Sequence, residues 1–161
     1  MNFSLTHHEL VGHLVPGFVT LLLVWFLYPG ASRNLEYSLP MGELLRGLIF
    51  VVLAFALGEI LDSIRDVLLE DAWNNRAKVR VNWDFFFEAR EDQIEKLRTS
   101  YFTYYVFNHN LALGLLLLSG AELVADHPAL VALCLTAACV LALDARSLRR
   151  EIAKHTTNRT V

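Results

Sequence analysis

The sequence predicts an all-α polytopic membrane protein, a four-transmembrane-helix bundle with helical cytoplasmic extensions that forms a single membrane domain over residues 1–161. Three observations lead there. Apolar side chains make up 55% of the 161 residues, above the roughly 45–50% usual in soluble domains. They gather in four runs of near-membrane length. The Lys and Arg residues then fall almost entirely on one side of those runs.

The first run, Leu10 to Tyr28, contains no Asp, Glu, Lys or Arg and is close to the roughly 20 residues that cross a ~30 Å hydrocarbon layer. A secretory signal peptide is the rival reading, but it calls for a basic start and a shorter apolar core, and no Lys or Arg precedes this run. The second span is expected over 44–61, with Arg46 and Glu59 near its two ends, where they can snorkel. The third is expected over 101–118. The fourth is expected over 128–143, opening at Pro128, a favoured first helical position. It is short, so it either begins near Leu123 or sits in a thinned bilayer.

Basic residues are retained in the cytoplasm. Four spans put the N-terminus, the 64–100 loop and the C-terminus on one side, with Arg65, Arg76, Lys78, Arg80, Arg90, Lys96, Arg98, Arg146, Arg149, Arg150, Lys154 and Arg159. Arg33 and Arg46 alone lie opposite. The expectation is therefore a multi-pass protein of the cell inner (plasma) membrane with both termini cytoplasmic. Trp25 and Tyr28, and Tyr101, Tyr104 and Tyr105, fit aromatic belts at the two interfaces.

Helical phase continues past the second span through Leu57, Leu61, Ile64 and Leu68, so a cytoplasmic extension ending near Trp73-Asn74-Asn75 is expected. The alternation from Arg76 to Val81 reads as extended or irregular, a solvated connection first and, as the alternative, one whose three basic residues touch anionic headgroups. Asn82 or Asp84 is the expected cap of a second helix, whose apolar stripe of Ile94, Leu97 and Tyr101 leads into the third span. Phe85, Phe86 and Phe87 spread over about 200° of a helix, so they are expected at an interface, against lipid or another subunit, or as a plug at the base of the bundle.

Polar residues at membrane depth are the most informative feature. Glu59, Asp62, Asp66 and Glu70 fall within about an 80° arc of one helix. An ionised carboxylate costs at least ~2.5 kcal/mol at mid-bilayer, so this stripe must face water, a cation or basic partners. Asn108, His109 and Asn110 lie at similar depth on the third span, and His13 near the inner end of the first. The expected polar or pore-lining cluster is Glu59, Asp62, Asp66, His13 and Asn108, with Asp144 as a further member.

Three readings compete for it. The first is interhelical glue, with Arg65 or Arg146 neutralising the acids. The second is an acidic ring of Glu59 and Asp62 around a cation path in a homo-oligomer. The third is an intramembrane enzyme, with His13 and the acids holding a metal or paired carboxylates doing acid-base work. No compact ligand or catalytic motif supports that one. His7 and His8 beside Glu9 read as a solvated terminus.

Ala129, Ala132, Thr136 and Cys139 form a small-residue strip expected to serve helix packing, within or between subunits. Pro16-Gly17 marks an expected kink. Cys134 and Cys139 point to different sides of a helix and read as packing residues without a disulfide. A net charge of −3 gives no basic face for nucleic acid.

The expected function is an oligomeric inner-membrane protein that forms or gates an ion-permeable path, with a membrane-perturbing effector as one form of it. The alternative is a non-conducting sensor or anchor that binds a cytoplasmic protein partner through the 64–100 loop. No cofactor, metal or catalytic residue is expected, and the partners expected are membrane lipids and further copies of the chain. The four-span plan resembles that of small membrane effectors and sensors in bacterial anti-phage systems, a likeness of architecture that carries no residue across.

Overall fold

The computed structural model describes residues 7–28, 30, 42–67, 81, 82, 84 and 90–157. Among the described residues the chain is all-α, and four helices are long and apolar enough to span a membrane. Helix α1 joins His7–Glu9, a π-helical turn at Leu10–Leu14, and Val15–Leu27. Helix α2 is Glu43–Arg65. Helix α3 runs unbroken over Glu91–Val124 through a second π-helical turn at Arg98–Phe102. Helix α4 is Pro128–Thr157.

Helices α1, α2 and α3 pack on one another, and α4 lies along α3. At 1.5 Å per residue α3 and α4 are about 51 and 45 Å long, well beyond a ~30 Å hydrocarbon layer. Their far halves stay paired around Tyr105, Val106, Ala145 and Ile152, with Val81, Tyr101, Phe102 and Leu148 packed against that cluster.

Small residues set the α1–α2 crossing. A Cβ on Gly17 would collide with the Ala54 carbonyl oxygen, and one on Gly58 with that of His13. The two backbones therefore touch, as small residues permit in helix pairs of this kind. Glycine is used here for the close approach.

The α3–α4 turn has a physical cause in Asp126. Its φ of 60° is the left-handed conformation that Asp and Asn tolerate better than other side-chain-bearing residues. The amide of His127 donates to the Glu122 carbonyl at 3.0 Å and that of Asp126 to Leu123 at 3.3 Å, closing α3 in a Schellman arrangement. Pro128 then opens α4, where its missing N–H costs nothing.

The strip Ala129, Ala132, Thr136 and Cys139, expected to pack within or between subunits, is exposed at all four positions. Helix α4 meets α3 through Cys134, Ala138, Ala145 and Ile152, which lie about 160° round the helix from the strip. The helix that begins at Glu91 has Arg90 as its N-cap without a side-chain bond, and the first turns expected after Asn82 or Asp84 lie outside the described residues. Asn82 Oδ1 accepts from the Asp84 amide at 3.2 Å, and its own amide donates to Thr156 Oγ1 at 3.2 Å. Phe85, Phe86, Phe87, Leu68, Glu70 and the 73–80 segment lie outside the described residues.

Candidate functional site

Four helices bring polar side chains to one level. Counted at 1.5 Å per residue from the end of the bundle that carries the α3–α4 turn, Glu59 lies about 24 Å along α2, Asn108 about 24 Å along α3, Asp144 about 24 Å along α4, and Asn110 and His13 each about 21 Å along α3 and α1. Everything between that level and the turn is dominated by apolar side chains, many of them exposed on the outer surfaces of α2 and α4, such as Leu48, Val52, Leu133 and Val140.

Pro16 creates the first feature of this layer. It has no N–H to give to the carbonyl four residues earlier, that of Gly12. The preceding turn widens, with the Val15 amide donating to Leu10 in a π-helical bond. Asn110, fully buried on α3, donates through Nδ2 to the Gly12 oxygen at 2.9 Å. A neighbouring helix thus satisfies the backbone group that proline frees, the condition under which proline is tolerated in such helices. The same Nδ2 lies 3.2 Å from Asp62 Oδ1.

The acids of α2 separate into two kinds. Arg65 is buried at 5% exposure and sits 3.1 Å from Asp62 Oδ1 and 2.6 Å from Asp66 Oδ1, with its guanidinium 5.8 Å from the centroid of the Tyr105 ring. Arg65 is therefore shared between the Asp62 and Asp66 carboxylates, one cation for two anions. Asn108, the further member on α3, donates to Asp144 of α4 at 2.6 Å, tying α3 to α4. Arg146 is exposed.

Glu59 differs. Its side chain is 50% exposed, with His13 Nδ1 at 3.4 Å from Oε1. That spacing is an ion-pair distance without hydrogen-bond geometry, and His13 Nδ1 is buried with no hydrogen-bond partner. His13 packs edge-on to His8 with ring centroids 5.3 Å apart. His8 Nδ1 is 3.2 Å from Thr103 Oγ1, which itself donates to the Arg98 carbonyl across the second π-helical turn. His8 precedes the apolar Leu10–Leu27 run. Burial pushes its imidazole down to about 4, helped by the positive charges of His13 and Arg98 and opposed by Asp62.

The structure thus brings His13, Glu59 and Asp62 together, places Asp66 on the outer side of Arg65, and sets Asn108 against Asp144. The sequence offers Asn110 at this depth and Arg65 as a partner of the acids, but not the bond to the Gly12 carbonyl or the sharing between Asp62 and Asp66; His8, expected at a solvated terminus, is instead part-buried against Thr103. The Asn110 signal was present in the sequence, since Pro16 announces an unsatisfied carbonyl at Gly12. At the opposite end, buried Glu122 pairs with His127 Nδ1 at 2.6 Å, fastening the α3–α4 turn a second time. Among the described residues no three His, Cys, Asp or Glu side chains are gathered as metal ligands. No family model matches the chain, and neither a curated protein nor a solved structure matches it.

Proposed function

We propose that the chain crosses the inner membrane four times, with both termini and the 64–100 loop cytoplasmic, and that several copies assemble to form or gate an ion-permeable path lined by Glu59. The observation that carries this reading is the half-exposed Glu59 carboxylate, about 24 Å along α2. A lipid-facing carboxylate at that depth is strongly disfavoured, whereas one facing a hydrated gap between copies is not. Asp62 and Asp66, further along the same face of α2, share Arg65 as a partner. The exposed apolar faces of α2 and α4 then meet lipid and other copies.

Cysteine accessibility tests the reading. In a background with Cys134→Ala and Cys139→Ala, Glu59→Cys in native membranes is expected to react with a small hydrophilic thiol reagent. Ile60→Cys, at the same depth but about 100° round the helix, is expected to stay unreacted. Protection of both positions contradicts a hydrated face at Glu59.

The second reading is a non-conducting sensor or anchor. It is favoured by the docking of Val81 and Asn82 on the far halves of α3 and α4, which holds part of the loop in a defined place for a cytoplasmic protein. Reaction of Glu59→Cys together with an absence of ion flux selects it.

A further inference from the structure

We propose that the ion carried is the proton, handed between Glu59 and water at the polar end of the bundle through His13 and His8. This inference rests on the ion-permeable path proposed above and names its permeant species.

A metal cation needs uncompensated carboxylates or a ring of carbonyl oxygens. Beside Glu59, Arg65 pairs with both Asp62 and Asp66, and Asn110 lies against Asp62. The Glu59 carboxylate next to one imidazole is a pair suited to moving protons and poorly suited to stripping water from sodium or potassium. His13 is 8% exposed, and its Nδ1, the atom nearest Glu59, has no hydrogen-bond partner of its own. A buried polar atom left open in this way loses free energy unless something visits it. A proton delivered from Glu59, directly or through one water, is what fits.

The steps balance without a co-reactant. Protonated Glu59 gives its proton to Nδ1 of neutral His13, leaving a carboxylate and an imidazolium. The imidazolium ring rotates, releases the proton from Nδ1 to a bridging water or to His8, whose ring is edge-on at 5.3 Å between centroids, and rotates back as the starting Nε2–H tautomer. His8 is half-buried, and its link to Thr103 places it at the polar end of α1 and α3. The charged groups around this route are Asp62 and Arg65 from α2 and Arg98 from α3. Helix α4 packs chiefly along α3, including its Arg98–Phe102 turn.

The test uses the full-length protein in sealed liposomes with trapped pH-reporting and sodium-reporting dyes, under an imposed potassium diffusion potential. Proton entry without matching sodium entry is expected, and it is expected to slow in D2O. His13→Gln is expected to cut proton flux about a hundredfold, the lower end of what a positioned proton-transfer group contributes, and His8→Gln to cut it less. Proton flux undiminished in folded His13→Gln overturns the relay. If that variant does not fold, the wild type decides: sodium entering as readily as protons, with no solvent isotope effect, overturns the inference while leaving the path intact. No flux of either ion overturns both.

Discussion

Asn110 Nδ2 donates to the Gly12 carbonyl oxygen at 2.9 Å, and that oxygen is the one whose helical donor Pro16 removes. The side chain of one helix replaces a backbone bond of another. Asn110→Ala is therefore expected to destabilise the protein by about 1–2 kcal/mol, the upper part of the range for interhelical hydrogen bonds. Pro16→Ala restores an N–H to the α1 backbone and is expected to recover part of that loss in the Asn110→Ala background. Unfolding in mild detergent of both single variants and the double variant measures the coupling; additive effects contradict the substitution of one bond for the other.

Arg65 serves two carboxylates from a buried position. Its removal leaves Asp62 charged and nearly enclosed, so Arg65→Gln is expected to cost about 3 kcal/mol. Adding Asp62→Asn removes the orphaned charge and is expected to return a substantial share of that stability. The measurement is again the unfolding midpoint. An Arg65→Gln variant as stable as wild type contradicts the pairing.

Glycines at the α1–α2 crossing and elsewhere are expected to respond in opposite directions. Gly17→Ala and Gly58→Ala force a methyl group into backbone atoms of the partner helix and are expected to destabilise by about 3 kcal/mol or more. Gly120→Ala meets open space within α3 and is expected to stabilise by about 0.5–1 kcal/mol. Thermal unfolding of the three variants side by side checks the contrast.

The His8 imidazole gives a pH dependence with a defined sign. Its folded value is about 4 against an ordinary 6.5, so between those values the unfolded chain binds a proton that the folded chain does not. Stability is then fully present above pH 6.5 and falls as the pH drops towards 4. His8→Gln is expected to flatten that slope. An unfolding midpoint whose pH dependence is the same in both proteins contradicts a buried neutral His8.

The long elements were legible because their signal is long. Leu10 to Tyr28 and Leu44 to Leu61 are apolar throughout or nearly so, and the Ala138 face of α4 is equally apolar. That uniformity is also why the inward face of α4 was not legible: when every side of a helix is apolar, spacing says little about which side meets α3, and the small strip at Ala129, Ala132, Thr136 and Cys139 pointed outward. The stripe of Glu59, Asp62 and Asp66 was plain from 3.6-residue periodicity, but the division within it depends on Arg65 curling back along its own helix. Gly17 read as part of a kink beside Pro16. Its contact with Ala54 and Gly58 needs the partner helix in place, and only the Ala54-x-x-x-Gly58 spacing hinted at it.

Ion flux into sealed liposomes under an imposed potential, measured for the wild type beside Glu59→Gln, tests the central claim most directly. The account predicts flux in the wild type and its loss in a variant that remains folded and assembled, because that substitution removes the half-exposed carboxylate beside His13. No wild-type flux under any potential, or equal flux in the variant, would contradict a path lined by Glu59.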